Sequence, residues 1–219
     1  MSINEDLSEL IGVFIGDGCL SRWKRRDSYV SALVFTGNLK NDYKYYEYLR
    51  SIIKQYFRIK KSIRKRKNFN AIELKFYDKN IIDFFISLGF RFGKKKDIEI
   101  PLDILDNDQL SKACIRGIFN TDGSVYKRYS RRYFSNSYLN YAVIEIRNNS
   151  DILLNQIKYV LENDGFNINK ITKDKTGCST LRINNQDDVE RFFREIAITH
   201  EYHKYRFLVI KNKFLKYKC

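Results

Sequence analysis

The chain has 219 residues, 43% of them hydrophobic and 15% aromatic, with one proline and a formal net charge of +15. This length and apolar content exclude a disordered chain and allow one large core or two small ones, and no apolar run reaches the roughly 18 residues of a membrane-spanning helix. The 41 Lys and Arg against 26 Asp and Glu predict a polyanionic partner, most simply nucleic acid, and residues 1–9 lack the basic start of a secretory leader.

Residues 5–16 carry apolar side chains at helical spacing: Leu7, Leu10, Ile11, Phe14 and Ile15. The same stretch holds Gly12 and Gly16 and runs into Asp17-Gly18. A glycine inside a helix costs about 1 kcal/mol relative to alanine, and an aspartate at a helix C-terminus faces the negative end of the dipole. Residues 19–26 and 29–37 read as a β-hairpin, and 41–57 as a helix with Tyr45, Tyr48, Leu49 and Ile52 on one face. A second hairpin is predicted over 59–66 and 70–77, turning at "KNFN", then a short helix over 78–88. A polar junction containing Pro101 follows. The order then recurs: helix 109–120, strands 124–132 and 138–147, helix 150–164, strands 168–175 and 178–184, helix 185–197. A closing helix is predicted over 200–214.

The recurrence extends to the letters. "LIGVFIGDG" (Leu10–Gly18) aligns without a gap on "IRGIFNTDG" (Ile115–Gly123), matching Gly12 to Gly117, Phe14 to Phe119, Asp17 to Asp122 and Gly18 to Gly123. A repeat of about 100 residues is too long for a solenoid and implies two related half-proteins. We therefore expect an α+β fold of two αββαββα repeats, residues 1–95 and 109–219, joined by a linker over 96–108.

The unfavourable glycines are explained if the two motif helices pack on each other. Gly12 and Gly16 share one face, as do Gly117 and Thr121, and small residues at that spacing let helix backbones approach closely. Gly18 and Gly123 are expected to end the helices in the left-handed conformation. Parallel packing then brings Asp17 and Asp122 together at two negative helix ends, where the carboxylates share a proton or are neutralised by cations. Oxygen ligands without a nearby histidine or cysteine point to Mg²⁺, with Mn²⁺ or Ca²⁺ as substitutes, and such a metal beside a phosphate backbone does phosphoryl chemistry. Cys19, Cys114, Cys178 and Cys219 have no C-x-x-C spacing and read as free thiols of an intracellular, reducing compartment. The H-x-x-H spacing of His200 and His203 does not by itself define a metal site.

These two motifs resemble those of the LAGLIDADG homing endonucleases in their single-chain, two-motif form. The resemblance spans nearly the whole chain. It implies a pseudo-twofold axis, motif helices at the interface, and a saddle-shaped four-stranded antiparallel sheet from each repeat in the DNA major groove. It implies that Asp17 and Asp122 bind the catalytic metals, that the carbonyls of Gly16 and Thr121 also face metal, and that both strands of duplex DNA are cut to leave short 3′ overhangs. It also implies a lysine or glutamine just after the second strand of each repeat. Here those positions hold Gly37-Asn38 and Asn148-Asn149, with Lys40 nearby.

Strand parity selects the DNA-facing side chains. With Leu20 and Val125 inward, Ser21, Trp23 and Arg25 face outward in one half, and Tyr126, Arg128, Ser130 and Arg132 in the other. The same parity puts Ser62, Arg64 and Arg66 outward opposite Ile63, and Lys170, Thr172 and Asp174 opposite Ile171. Glu145, Arg147, Thr180 and Arg182 complete the set. Mixed donors and acceptors suit base edges better than phosphates. A monomer on a duplex site of about 20 bp is expected. An RNA-binding intron maturase, or a DNA-binding protein without chemistry, on the same fold remains the alternative, with the two acids favouring the enzyme.

Overall fold

The computed structural model describes residues 2–95, 97–129 and 140–215. Asn4 caps the first helix, α1 (Glu5–Asp17): its side-chain oxygen accepts from the Leu7 amide at 3.1 Å, and Glu5 and Asp6 complement the positive end of the dipole. The chain passes directly into β1 (Gly18–Arg25), which pairs antiparallel with β2 (Ser28–Asn38). Helix α2 (Tyr43–Phe57), β3 (Arg64–Lys65), β4 (Ala71–Phe76) and α3 (Lys79–Ser87) complete the first repeat. After a single turn, α4 (Leu102–Leu105), the order restarts with α5 (Asp108–Asp122), β5 (Gly123–Tyr129), β6 (Asn140–Asn148) and α6 (Asp151–Asn163). It closes with β7 (Thr172–Lys173), β8 (Ser179–Ile183), α7 (Gln186–Glu195) and α8 (Glu201–Leu215).

The two sheets have the same order, β1-β2-β4-β3 and β5-β6-β8-β7, with every neighbouring pair antiparallel. One face of each is packed by helices: Leu20, Leu33, Phe35, Ile72 and Leu74 in the first, Val125, Ile144, Ile146, Leu181 and Ile183 in the second, all buried. The α+β class and the doubled αββαββα order are thus those of the sequence. Among the described residues no helix is long and apolar enough to cross a membrane.

Three features depart from expectation. The edge strands β3 and β7 contain two residues each, not the runs over 59–66 and 168–175. The apolar positions are real core contacts, since Ile59, Ile63, Ile168 and Ile171 pack on the core, but they record what is buried and not a ladder of hydrogen bonds. Gly18 (φ −76°, ψ 154°) and Gly123 (φ −90°, ψ 159°) are extended and not left-handed. Glycine is needed for space: a Cβ at Gly18 would stand 2.4 Å from Phe14 Cδ2, and one at Gly123 2.2 Å from Phe119 Cδ2. The junction, expected to be polar, is packed. Ile98, Ile100 and Ile104 are buried, Gln156 hydrogen-bonds both the amide and the carbonyl of Ile100 (2.8 and 3.2 Å), and the Ser150 hydroxyl donates to the Ile98 carbonyl at 2.7 Å.

Candidate active site

Helices α1 and α5 meet backbone to backbone. A Cβ on Gly12 would lie 2.0 Å from the Cys114 carbonyl oxygen, and one on Gly117 2.1 Å from that of Glu9. One on Gly16 would lie 2.0 Å from Thr121 Oγ1. The contacts advance in step along both helices, so the helices run in the same direction and end together. The Thr121 hydroxyl turns back on its own helix, toward the carbonyls of Gly117 and Ile118 (3.1 and 3.0 Å).

The shared end carries Asp17 and Asp122. Burial, and then the charge of Asp122, push Asp17 up from 3.8 to about 7, with Lys95 opposing. Burial also raises Asp122, opposed by Lys95 and by a hydrogen bond in which Asn148 Nδ2 donates to its Oδ2 at 2.8 Å. Lys95 is absent from the sequence candidates. Its ammonium donates to the last-turn carbonyls of α1, those of Phe14 (3.0 Å), Ile15 (2.8 Å) and Gly16. Burial lowers its pKa while the two acids hold it up. The "KKK" run at 94–96 was visible, but nothing local says which lysine returns to a helix end some 80 positions earlier.

Of the other residues proposed beside the acids, Asn148 alone touches one of them. Asn38 closes its own turn, accepting from the amides of Lys40 (2.9 Å) and Asn41 (3.1 Å), while Lys40 and Asn149 are exposed. Register explains this: Gly18 pairs with Phe35 and Gly123 with Ile146, so Asn148 corresponds to Gly37 and not to Asn38. Among the described residues no group of three or more His, Cys, Asp or Glu is arranged to hold a metal ion. The donors at the helix ends are two half-buried carboxylates and backbone carbonyls, all hard oxygens. This sparse set fits Mg²⁺, which keeps several waters and takes its remaining oxygens from a phosphate. The carbonyl of Gly16 faces the Lys95 ammonium.

The sheet faces turned away from the helices differ between the halves. In the first, Ser21, Trp23 and Arg25 share their face with Arg64 and with Thr36, Glu73 and Lys75, which the sequence reading omitted because it stopped short of β2 and β4. Lys75 Nζ sits 5.0 Å from the Trp23 ring and 5.4 Å from that of Tyr77, and Arg66 lies 5.3 Å over Phe69. Ser62 is exposed and outside the ladder. In the second half the polar groups are bonded to one another. The Tyr126 hydroxyl (2.9 Å) and Arg182 Nε (2.7 Å) both donate to Glu145, Arg182 also donates to Thr172 (3.1 Å), and Arg147 donates to Asp174 (2.6 Å). Thr180 has the outward register but is only 4% exposed: its strand neighbours Arg147 and Thr172 flank a short side chain. Arg128 and Lys170 are exposed. Ser130 and Arg132 lie outside the described residues.

Residues 109–197 match the family model described as a LAGLIDADG-like domain. The whole chain has the fold of the single-chain LAGLIDADG homing endonucleases. It is similar to I-DmoI solved in complex with DNA and calcium, with a TM-score of 0.64 and 20% identity over 88% of each chain. It is equally similar to a mutant of I-SmaMI, with a TM-score of 0.65 and 13% identity over 96% of this chain and 93% of that one. I-DmoI has also been solved with DNA and manganese and, as a single-residue variant on its target DNA, with magnesium. The replication factor C small subunit of Methanocaldococcus jannaschii is 32% identical over 126 residues, 57% of this chain, which spans 6% of that protein.

Proposed function

We propose that the chain is a metal-dependent DNA endonuclease, acting as a monomer on a long, imperfectly palindromic duplex site of about 20 bp. It hydrolyses one phosphodiester in each strand and leaves short 3′ overhangs. The observation that carries this reading is the meeting of Asp17 and Asp122 at the ends of two parallel helices, between two four-stranded sheets of a strongly basic chain. A DNA-binding protein without chemistry gains nothing from two half-buried carboxylates that repel each other. Asp17 and Asp122, with the carbonyls of Gly16 and Thr121, would hold Mg²⁺, which would supply Lewis-acid polarisation of the phosphate and an activated water; Mn²⁺ would substitute and Ca²⁺ would bind without turnover.

The chain's own residues do the rest. Asn148 orients the Asp122 carboxylate. Lys95, its ammonium seated on the last carbonyls of α1, offsets the two negative charges. The outward sheet faces supply the readout of base edges, with Trp23, Arg25, Arg64, Arg128 and Arg182 the strongest donors or stacking groups.

The test is cleavage of a randomised duplex library in Mg²⁺, with cut ends sequenced. The wild-type protein is expected to select a discrete long site. Asp17→Asn and Asp122→Asn each lose double-strand cleavage by about 100-fold or more while retaining DNA binding. Wild-type cleavage by both variants would overturn the reading.

A further inference from the structure

The two acids are not served alike. Asp122 receives the amide of Asn148, whereas among the described residues no side chain hydrogen-bonds Asp17. The register counterpart of Asn148 is Gly37, which has no side chain to offer. The space is nevertheless filled. A Cβ at Gly37 would stand 2.6 Å from Tyr46 Cε2, 2.8 Å from Tyr46 Cζ, the atom that carries the hydroxyl, and 2.9 Å from Asp42 Oδ2. The phenol tip of Tyr46, projecting from α2, therefore occupies the place from which Asn148 acts in the other half.

That hydroxyl is an anomaly as packing. Tyr46 is 1% exposed and its hydroxyl has no hydrogen-bond partner. An unmet buried donor destabilises, and phenylalanine would fill the same volume without it. Burial first, and then the charges of Asp17 and Asp42, keep it protonated, hence a donor. Asp42 is already engaged, by the Asn38 amide at 2.6 Å and His200 Nε2 at 3.2 Å. Asp17 is not.

We propose that Tyr46 is the first half's counterpart of Asn148: its hydroxyl donates to a water molecule that Asp17 holds together with the metal, and so positions that water for attack on one DNA strand. This rests on the endonuclease reading above. It makes the two strand cuts chemically unlike, one supported by a carboxamide and the other by a phenol.

The experiment compares full-length wild type, Tyr46→Phe and Asn148→Ala on the duplex recovered from the library, each strand labelled separately. Thermal melts and tyrosine-sensitised Tb³⁺ luminescence are recorded on the same proteins without DNA. Tyr46→Phe is expected to slow one strand by about 100-fold and Asn148→Ala the other. The Tyr46→Phe melting temperature is expected to equal or exceed that of wild type, and its Tb³⁺ emission to fall while Asn148→Ala retains it. Unchanged rates in Tyr46→Phe, equal slowing of both strands, a marked loss of melting temperature, or unchanged Tb³⁺ emission would each overturn the proposal. A wild-type protein that cuts nothing defeats the endonuclease reading instead, and the Tb³⁺ signal still decides whether Tyr46 faces the ion.

Discussion

At the scale of single residues, Asp17 and Glu9 show two ways of burying a carboxylate. Glu9 is fully buried and accepts from Tyr45 (3.0 Å), Tyr48 (3.1 Å), Arg116 (2.8 Å), Asn120 (3.2 Å) and Thr199, so its charge is matched on every side. Asp17 has no such shell, and its pKa rises from 3.8 to about 7. Between those values the unfolded chain has released this proton and the folded one has kept it. Stability from this group is therefore greatest at low pH and is lost as pH rises through about 7. Without divalent metal, the stability difference between Asp17→Asn and wild type should grow from near zero at pH 4 to about 1–3 kcal/mol in favour of the variant at pH 8. Adding Mg²⁺ at pH 8 should raise the wild-type melting temperature and leave that of the variant unmoved. A difference independent of pH, measured by thermal melts, would show that Asp17 titrates normally.

At the scale of elements, the tight contact between α1 and α5 is made by residues that lack side chains. Gly12 and Gly117 each place a hypothetical Cβ about as near a backbone oxygen as a covalent neighbour, 2.0 and 2.1 Å. Backbone cannot yield as a flexible side chain does, so even alanine must push the helices apart. Gly12→Ala and Gly117→Ala should each destabilise the chain by about 1–3 kcal/mol or more, and should separate Asp17 from Asp122. Chemical denaturation measures the first effect and Mg²⁺ affinity the second; unchanged midpoints in both variants would mean that the helices are not so close. Gly18 and Gly123 serve the same close packing, admitting Phe14 and Phe119 where the chain turns from helix to strand.

At the scale of the molecule, the net charge of +15 favours a polyanion, and in the proposed endonuclease the two sheet faces would divide recognition unequally. The first face sets Lys75, Trp23 and Tyr77 against one another with Glu73 alongside, while the second ties Arg182 to Glu145 and Arg147 to Asp174. Arginines held in place by carboxylates present fixed donors, which suits base edges. Arg25 and Arg128 are exposed near the outer ends of β1 and β5. Arg128→Ala should relax preference at a few base pairs on one side of the cut, and Arg25→Ala on the other, at about 1–3 kcal/mol per lost bidentate contact. Cleavage profiling on the randomised library reads this directly; symmetric changes, or none, would contradict a face assigned to each half-site.

The sequence by itself determined the repeat, the order of elements, the helix faces, the strand parity and the meeting of two acids. These follow from periodicities of 3.6 and 2 and from recurring words, each legible within a few residues of itself. Local spacing also reached the glycine contacts, because packing between two straight helices repeats along both. It misassigned the capping role of Gly18 and Gly123, since clash with a phenylalanine one turn back cannot be told from a left-handed turn on paper. What surrounds the acids emerged only in three dimensions: Lys95 arriving from the packed junction, Asn148 selected by sheet register over Asn38, Asn149 and Lys40, and Tyr46 standing over Gly37. The physical reason is that these contacts join elements tens of residues apart. Their distances depend on how the junction and sheets seat against the helix pair, and no local pattern carries that information.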